Sequence, residues 1–416
     1  MQPHSPMPYC AIRTRNNSNQ EEMCSFTVIG IPDSKEFMLT DEAANALSHA
    51  HYFSGGKRHH QLVEELIPED AEWIDVTVPL KNVFDRYRTI DSDIVVFASG
   101  DPLFFGYAST LQREFPGAKI KVYPWFNSLQ SIAHKLVLPY QEMRCVSLTG
   151  RPWHEFYKAL ISGERLIGVL TDRVRTPKAI AERMLEYGYS NYLMTIGENL
   201  GNKDTEKIST MSIEEASAKD FEPLNSIILT RQTEHPRPFG IQDSEFAHLP
   251  GREKMITKMP IRLLALSMLD IHNRTSMWDV GFCTGSVSIE AKLQAPHLTI
   301  NAFEVRKESK KLIETNCRKF GTPGIDYHIG DFLEYDISDI PAPDTVFIGG
   351  HGGKLYDIVA KIRKVLLPGG IIVFNSVSAD SLKMFEESIK NAGMRISLRH
   401  TLLLDAFNPI TVMQAK

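Results

Sequence analysis

The stretch IVVFASGDPLFFGYAST, residues 94–110, predicts the architecture of the first half of this chain. Its opening residues are apolar and have the pattern of a buried strand. Gly100, Asp101 and Pro102 must then form a sharp turn, and the residues after it have the pattern of a helix start. Open α/β sheets bind ligands at loops that follow the carboxyl ends of strands. The stretch therefore predicts an α/β domain that binds a ligand at this turn.

The composition is that of a globular protein with more than one domain. The 416 residues are 43% hydrophobic and 23% charged, which predicts two or three domains with full cores. A net charge of −5 argues against a nucleic-acid-binding surface as the main feature. The five cysteines are scattered and form no Cys-x-x-Cys pair. They favour a reducing compartment and predict neither a disulfide framework nor a cysteine-based metal site.

Membrane and secretion signals are not evident in the sequence. No stretch approaches about 18 consecutive apolar residues, so we expect no transmembrane helix. Residues 1–24 lack an apolar core and are rich in Pro, Asn, Ser and Gln, which favours a flexible tail over a secretory signal. We therefore expect a cytoplasmic protein.

Strand and helix patterns alternate from residue 25 onward, which predicts α/β architecture with substantial parallel pairing. The alternation breaks at RQTEHPRPFGIQDSEFAHLPGR, residues 231–252, where three prolines and two glycines favour a linker. A second α/β series follows this break. We therefore predict one domain over residues 25–232, a linker over 233–250 and a second domain over 251–416.

The second domain opens with WDVGFCTGSVSIEAKLQAP, residues 278–296, which has the pattern of a strand, a glycine loop and a helix. Gly281 and Gly285 permit positive φ or close backbone approach. Glu304, about 20 residues past the loop, is placed to accept the ribose hydroxyls of a nucleoside cofactor. Asp331 and Phe332 offer an acid and an aromatic ring to an adenine.

The glycine spacing favours S-adenosylmethionine (SAM) over a dinucleotide. A dinucleotide site uses Gly-x-Gly-x-x-Gly, whereas this loop has Gly-x-x-x-Gly preceded by Asp279. SAM has no phosphate to bind, but its ammonium group can pair with an acid at that position. The alternative is a doubly wound domain whose loop is only a tight turn. Cys283, in the middle of the loop, is interpreted as a packing residue rather than a catalytic one.

Cationic residues follow glycine turns in the first domain. Lys57 and Arg58 come after two glycines, and Arg151 comes after Thr-Gly. These cations are either ordinary solvated charges or contacts for an anionic substrate. The adjacent His59 and His60 favour a helix start or an anion contact, and we expect no metal site.

Motifs in both domains resemble known families. The first-domain motifs are GDPLFFG (100–106), SGGKRHHQLVEEL (54–66), NSLQSIAHKL (127–136), SLTGR (147–151), VLTDRVRTPKAIAERMLEYGY (169–189) and IGENLG (196–201). They resemble the tetrapyrrole (corrin and porphyrin) methylases, in the branch that methylates C5 of a corrin precursor. The second-domain motifs are MITKMPIRLLALSMLDI (255–271), WDVGFCTGSVSIEA (278–291), GDF (330–332) and PDTVFIGGHGG (343–353). They resemble the C15-methylating decarboxylases of cobalamin synthesis.

The resemblance implies a two-lobed tetrapyrrole methylase fold followed by a Rossmann-like, doubly wound SAM-dependent methyltransferase domain. It also implies two SAM sites. The first would use Gly100, Asp101, Pro102, Leu103, Ser128 and Thr171. The second would use Thr257, Gly281, Gly285, Glu304 and Asp331, alongside Asp279.

The implied reaction is methylation of a corrin precursor at C5 and C15, with loss of CO₂ from the C12 acetate. Because the macrocycle carries carboxylates, we expect cationic contacts. The candidates are Lys57, Arg58 and Arg151 in the first domain and Lys258 and Arg262 in the second. His351 either acts as a general base or packs within its loop.

Three alternatives stay open: an RNA methylase with similar lobes, another tetrapyrrole methylase, and a non-catalytic tetrapyrrole carrier. The acidic net charge and the lack of a long basic patch argue against RNA. We therefore expect a small tetrapyrrole partner and neither nucleic acid nor membrane. The resemblance implies a homo-oligomer, at least a dimer.

Overall fold

The computed structural model describes residues 24–404 and 409–416. The tail predicted for residues 1–24 therefore lies, except for residue 24, outside the described residues. The chain divides into two compact units. The first comprises the chain up to Ser131 together with Gly201–Asp204, and the second comprises Ile132–Leu200 and Thr205–Lys416. Within the described ranges, no helix is long and apolar enough to cross a membrane.

The first unit contains a fully parallel sheet with strand order β3-β2-β4-β1-β5. Its strands are β1 (Ser25–Ile31), β2 (Tyr52–Gly55), β3 (Glu72–Asp75), β4 (Asp93–Ser99) and β5 (Ile120–Tyr123). Its helices are α1 (Asp41–His49), α2 (Lys57–Val63), α3 (Lys81–Tyr87) and α4 (Tyr107–Glu114). The central strands β1 and β4 are almost wholly buried, as expected of parallel strands covered on both faces. The stretch that opens the sequence analysis is thus confirmed as a buried strand, a turn and a helix.

A mixed sheet with strand order β6-β7-β10-β8-β9 belongs to the second unit. The elements are α5 (Ser128–Lys135), which begins in the first unit, then β6 (Arg144–Ser147), α6 (His154–Ser162), β7 (Leu166–Leu170), α7 (Pro177–Glu186), β8 (Tyr192–Glu198), β9 (Lys207–Ser212), α8 (Ile213–Ser217) and β10 (Asn225–Arg231). β10 lies between β7 and β8 and is antiparallel to both. The sequence pattern predicts β7 but no strand at β10, because a short apolar run beside a polar segment has no diagnostic period.

The second unit also contains a larger sheet with strand order β13-β12-β11-β14-β15-β17-β16. The elements are α9 (Met259–Met268), β11 (Ser276–Val280), α10 (Ser286–Gln294), β12 (Thr299–Glu304), α11 (Ser309–Lys319), β13 (Ile325–Ile329), β14 (Thr345–Ile348), α12 (Leu355–Val365), β15 (Ile371–Ser376), α13 (Ala379–Asn391), β16 (Ile396–Leu402) and β17 (Ile410–Ala415). Strands β11 to β15 are parallel, and β17 runs antiparallel to β15 and β16.

The central strand β11 is buried on both faces of this third sheet. Met277 packs in one hydrophobic cluster, and its neighbours Trp278 and Val280 pack in the other. Because successive side chains of a strand point to opposite faces, both faces of the sheet must be covered. The doubly wound arrangement predicted for the C-terminal half is confirmed.

Residues 233–250, predicted as a linker, pack onto the third sheet. Ile241 and Phe246 are buried members of the cluster that contains Met277. The backbone N–H of Gly240 donates a hydrogen bond to Oε1 of Glu290, which lies in α10. The segment therefore contributes to the core of the C-terminal half. The domain boundaries themselves stay a prediction.

Arg262 requires a correction, because the structure places it where no substrate carboxylate can reach it. Its side chain is fully buried and its Nε lies 2.9 Å from Oε2 of the equally buried Glu290. The guanidinium also donates to the carbonyl oxygens of Thr257 and Ile241. All of these contacts hold α9 against α10 and the preceding segment. Arg262 is therefore a structural cation.

Replacing Arg262 with alanine should lower the free energy of unfolding by about 3–5 kcal/mol, because it leaves the Glu290 carboxylate buried without its partner. Denaturant unfolding of the full chain would measure the shift. The control is Arg318→Ala, which breaks a half-exposed ion pair with Glu186 and should cost no more than about 1 kcal/mol. Equal losses for the two variants would contradict the buried role of Arg262.

Candidate functional site

The loops after β11 and β14 meet at the carboxyl edge of the third sheet. Gly281 has φ +82°, and a Cβ atom there would lie 2.5 Å from the backbone nitrogen of Gly350. A side chain at position 281 would therefore push the two loops apart. The close backbone approach predicted at Gly281 is therefore a contact with the loop that follows β14. Residues of both loops line one cavity.

This cavity encloses about 290 Å³ and lies at the carboxyl ends of β11, β14 and β15. Four residues proposed from the sequence line it: Thr257, Lys258, Asp279 and Gly281. The described lining also contains residues that the sequence reasoning missed, namely Lys254, Thr284, Arg306 and Asn375. Apolar walls come from Ile256, Ile261, Val287, Phe347, Val377 and Ile410.

Three polar side-chain atoms in this lining are buried without a hydrogen-bond partner among the described residues. They are Oδ1 of Asp279, Oγ1 of Thr284 and Oδ1 of Asn375. Buried polar groups in folded proteins are almost always satisfied, so three orphans around one cavity point to a polar ligand. The set includes an acid and a hydroxyl, which fit the ammonium and the carboxylate of a bound amino-acid moiety such as that of SAM.

Asp279 has unusual electrostatics for a carboxylate. It is fully buried, and its Oδ2 accepts a 2.6 Å hydrogen bond from the Ser288 hydroxyl. Burial, with a smaller contribution from the charge on Glu304, raises the pKa of Asp279 to about 7. A cation bound at Oδ1 would offset the cost of burying the ionised carboxylate. The site therefore favours a positively charged ligand.

Glu304, the predicted ribose acceptor, is almost fully buried at the end of β12. Its Oε2 accepts from the backbone N–H of Cys283 at 3.0 Å, and its Oε1 accepts from the backbone N–H of Arg306 at 3.0 Å. The Arg306 guanidinium also contacts Oε1 at 2.9 Å. The carboxylate is therefore held rigidly, and Oε2 retains a lone pair that can accept a ligand hydroxyl.

Asp331, the predicted adenine contact, stands partly exposed after β13. Its Oδ1 accepts from the Leu333 N–H at 3.0 Å, and its Oδ2 lies 2.7 Å from Nζ of Lys354. These contacts, the Lys354 one first, lower the pKa of Asp331, so it is ionised at neutral pH. Phe332, the predicted adenine platform, is instead buried against Phe303 at a ring distance of 5.0 Å. Its ring therefore belongs to the core, which corrects that expectation.

Gly285 and Cys283 shape the loop between β11 and α10. Gly285 has φ +76° and precedes α10, and a Cβ atom there would lie 2.8 Å from Ile313. Cys283 also has a positive φ of 50°. Its Sγ lies 3.2 Å from the carbonyl oxygen of Met255, and burial raises its pKa to about 11. Cys283 is therefore a protonated thiol at neutral pH and tethers the segment before α9.

His351 follows β14 but is not among the described residues that line the cavity. Its Nδ1 accepts a 3.1 Å hydrogen bond from the backbone N–H of Gly353, which assigns the proton of the neutral ring to Nε2. Partial burial lowers its pKa, so the neutral form prevails at pH 7. In this tautomer His351 is a hydrogen-bond donor. Its role as a base stays a prediction that requires the Gly353 contact to break.

Two of the cations in the described cavity lining are paired with acids of the same unit. Lys258 lies 3.4 Å from Oδ2 of Asp243, and Arg306 contacts Glu304. Arg306 remains about one-third exposed, so part of its guanidinium stays accessible. A cation two residues after the acid that ends β12 is the sequence signal that could have identified Arg306.

The turn at Gly100 in the first unit is built by close backbone contacts. A Cβ atom on Gly30, at the end of β1, would lie 1.9 Å from the carbonyl oxygen of Gly100. Oδ1 of Asp101 accepts a 2.9 Å hydrogen bond from the Leu103 N–H, which closes the turn. Leu103 and Phe105 are left 49% and 39% exposed, so the loop presents apolar side chains outward.

The basic cluster after β2 lies beside this turn. The Arg58 guanidinium donates to the Ser99 hydroxyl at 2.8 Å and lies 3.5 Å from Asp33. Nε2 of His59 also contacts Ser99, and burial lowers the pKa of His59 to about 4. His59 is therefore neutral, and Arg58 supplies the cluster's fixed charge next to Gly100. Lys57 is exposed one residue earlier.

The other first-domain candidates are divided between the two units. Ser128 is the first residue of α5 and lies in the first unit. Thr171 follows β7 in the second unit, and its hydroxyl lies 2.7 Å from the carbonyl oxygen of Asn225. Arg151 is exposed in the loop after β6. That loop is joined to the loop after β7, because the Gly150 N–H donates to Asp172 at 3.0 Å.

Comparison with known proteins gives two family matches that together span most of the chain. Residues 25–217 match the family described as Tetrapyrrole (Corrin/Porphyrin) Methylases. Residues 249–410 match the family described as Precorrin methyltransferase domain. The two matches fall on the two α/β series separated in the sequence analysis.

Several known proteins are similar to this chain. A Sinorhizobium protein named Precorrin-6Y C(5,15)-methyltransferase (decarboxylating) is 31% identical over 361 residues, which cover 85% of each chain. A Salmonella typhimurium Cobalt-precorrin-6B C(15)-methyltransferase (decarboxylating) is 37% identical over 134 residues, covering 32% of this chain and 68% of that one. A crystal structure of a Geobacter metallireducens Precorrin-6y C5,15-methyltransferase is 32% identical, covers 44% of this chain and 99% of that chain, and aligns with a TM-score of 0.39. By its similarity to the first of these along nearly its whole length, this chain belongs to the precorrin-6Y C(5,15)-methyltransferase (decarboxylating) family.

Proposed function

We propose that this protein is a bifunctional SAM-dependent enzyme of cobalamin biosynthesis that methylates a corrin precursor at C5 and C15 and removes CO₂ from its C12 acetate. Membership of the decarboxylating C(5,15)-methyltransferase family supports the reaction class. The observation that carries the C-terminal activity is the cavity with three orphaned polar atoms at the carboxyl edge of the third sheet.

In the C-terminal half, SAM would supply an electrophilic methyl group on a sulfonium. Asp279 would pair with its ammonium, Thr284 would hydrogen-bond its carboxylate, and Glu304 would accept from its ribose. Asp331 would accept from its adenine amino group. The chain's own contribution is to orient the donor, exclude water and present the ring carbon that receives the methyl.

In the N-terminal half, we assign a second SAM site to residues of the first unit, namely Gly100, Asp101, Pro102, Leu103 and Ser128. The tight Gly30–Gly100 approach supports this assignment, because it exposes loop backbone that bulkier residues would cover. Arg58, Lys57 and Arg151 would bind acetate or propionate carboxylates of the macrocycle. Lys258 and Arg306 would do so at the C-terminal cavity.

The function is tested by incubating the full chain with precorrin-6B, or its cobalt form, and isotopically labelled SAM. Mass spectrometry should show two added methyl groups and the loss of one CO₂. Calorimetric titration with SAM should give two sites per chain. A product with a single methyl group, or a single SAM site, would refute the bifunctional assignment.

The remaining expectations concern assembly and compartment. We propose a homo-oligomer, at least a dimer, that acts in the cytoplasm without nucleic acid. The net charge of −5 argues against nucleic-acid binding, and the free state of the cysteines in the described ranges favours a reducing compartment. Light scattering on purified protein and salt-dependent RNA binding assays test it, and a monomer or a tight RNA complex would overturn it.

A further inference from the structure

The loops after β6 and β7, here called the β6–β7 loop pair, form a cationic surface within the second unit. The two strands are parallel, so their carboxyl ends lie at the same edge of the second sheet. The loops are joined there by the hydrogen bond from the Gly150 N–H to Asp172. Residues 149–152 and 171–176 contain three arginines but only one acid, namely Arg151, Arg173, Arg175 and Asp172. The loop pair therefore carries an excess of positive charge.

The other side of the same edge is acidic. Glu198 ends β8, and Asp220 and Glu222 precede β10, which begins at this edge because it is antiparallel to β7 and β8. Lys207 is paired with Glu198, and Lys178 is paired with Asp220. An anionic ligand that reaches this edge is therefore attracted to the β6–β7 loop pair rather than to the loops around β8.

Arg175 is held by Asp172 through one corner of its guanidinium. Its Nη1 lies 2.9 Å from Oδ2 of Asp172, and the side chain is 23% exposed. Its Nε is buried and has no hydrogen-bond partner in the part of the chain that the structure describes. The ion pair with Asp172 leaves the edge formed by Nε and Nη2, which is an edge that can bind a carboxylate through two parallel hydrogen bonds. Because an unsatisfied buried donor is costly, the orphaned Nε points to an acceptor supplied by a ligand.

Asp172 also fixes the backbone around Arg175. Its Oδ1 accepts from the backbone N–H groups of Val174 and Arg175, at 2.9 and 2.6 Å. Although burial opposes the shift, these bonds and the one from Gly150 lower the pKa of Asp172 to about 2, so it stays ionised at neutral pH. Thr176 then caps the start of α7. The guanidinium is thus preorganised, so little freedom is lost when a ligand binds it.

We propose that Arg175, together with Arg173, binds a carboxylate side chain of the corrin precursor during methylation at C5, an inference that rests on the proposed function. A carboxylate at Nε and Nη2 would satisfy the orphaned donor, since both of its oxygens accept hydrogen bonds. Arg173 is exposed and adds a second positive charge to the same loop. The site lies inside residues 25–217, which match the tetrapyrrole methylases, and this assigns it to the C5 reaction.

The test measures KM and kcat of C5 methylation in the full chain, with precorrin-7 or its cobalt form as the acceptor and labelled SAM at saturation. Arg175→Lys keeps a positive charge beside Asp172 but removes the fork that binds both carboxylate oxygens. It should raise KM for the acceptor by about 10- to 100-fold, the effect of losing a charge-assisted hydrogen bond, and leave kcat within about threefold of wild type. The number of SAM sites should be unchanged.

Arg144→Lys is the matched control for this variant. Arg144 forms a comparable ion pair with Glu155 at 2.8 Å, but it lies at the amino end of β6, away from the loop pair. The control should change neither KM nor kcat. An Arg175→Lys variant whose KM stays within about threefold of wild type would overturn the inference.

The acceptor itself distinguishes a carboxylate contact from a structural defect. Methyl esterification of its carboxylates removes the charge that Arg175 recognises, so the esterified acceptor should bind Arg175→Lys and wild type equally well. Equal weakening of both acceptors in the variant would show a distorted domain and contradict the proposal. A wild type that binds SAM twice yet does not methylate precorrin-7 would refute the proposed function, and this site with it.

Discussion

Asp279→Asn should abolish SAM binding in the C-terminal half while stabilising the ligand-free protein. The variant keeps an acceptor for the Ser288 hydroxyl but loses the negative charge that would pair with the SAM ammonium. It also removes a fully buried carboxylate whose isolation is costly. Titration should then report one SAM site instead of two, and the thermal midpoint of the free protein at pH 8 should rise.

The sign of the stability change follows from the pKa of Asp279. Burial raises it from 3.8 to about 7. Between about pH 4 and pH 7, the folded state therefore keeps a proton on the Asp279 carboxyl group, whereas the unfolded state has released it. The stability contributed by this proton is fully present below about pH 4 and is lost as pH rises through 7. The upper limit of the loss is about 4 kcal/mol, at 1.36 kcal/mol per pKa unit. Asp279→Asn should therefore flatten this part of the pH–stability curve.

The same titration predicts that SAM affinity of the C-terminal site weakens as pH falls below 7, because Asp279 becomes neutral. The matched control is Asp331→Asn. In the wild type, Asp331 is partly exposed, and its contacts lower its pKa. That variant should weaken SAM binding without raising the thermal midpoint. A destabilised Asp279→Asn protein that still binds two SAM molecules would contradict the assignment.

Gly30→Ala should lower the rate of methyl addition at C5 by about 100-fold and spare the C-terminal reactions. The new Cβ would lie 1.9 Å from the carbonyl oxygen of Gly100 and 2.7 Å from the backbone nitrogen of Trp125. Both neighbours are backbone atoms, so the turn at Gly100 must move. A shift of about 1 Å in a positioned site costs on the order of 10²-fold in rate.

Mass spectrometry of the product should then show one added methyl and one lost CO₂. Gly56→Ala is the matched control in the same unit, because its Cβ would meet His59 at an ordinary 3.8 Å and its φ is −73°. It should retain both methyl additions. Loss of decarboxylation in folded Gly30→Ala would show that the two halves do not act independently.

In the first and third sheets, the central strands β1, β4, β11 and β14 were predictable, because parallel strands buried on both faces appear as continuous apolar runs. The antiparallel β10 was not predictable, since nothing in NSIILTR specifies which strands it separates. The packing of Ile241 and Phe246 could not be predicted either. The prolines and glycines around them favoured a linker, and the burial of a side chain depends on residues that are distant in sequence.

The sequence by itself determined the family motifs, the glycines that admit tight turns, and the acids Asp279, Glu304 and Asp331 at strand ends, because these signals are local. Tertiary structure decided which polar groups lack partners. It buried Arg262 against Glu290, turned Phe332 into the core and left Asn375 unsatisfied beside apolar walls. The physical reason is that a hydrogen bond or a charge is satisfied by residues distant in sequence, so only the folded chain reveals which groups remain for a ligand.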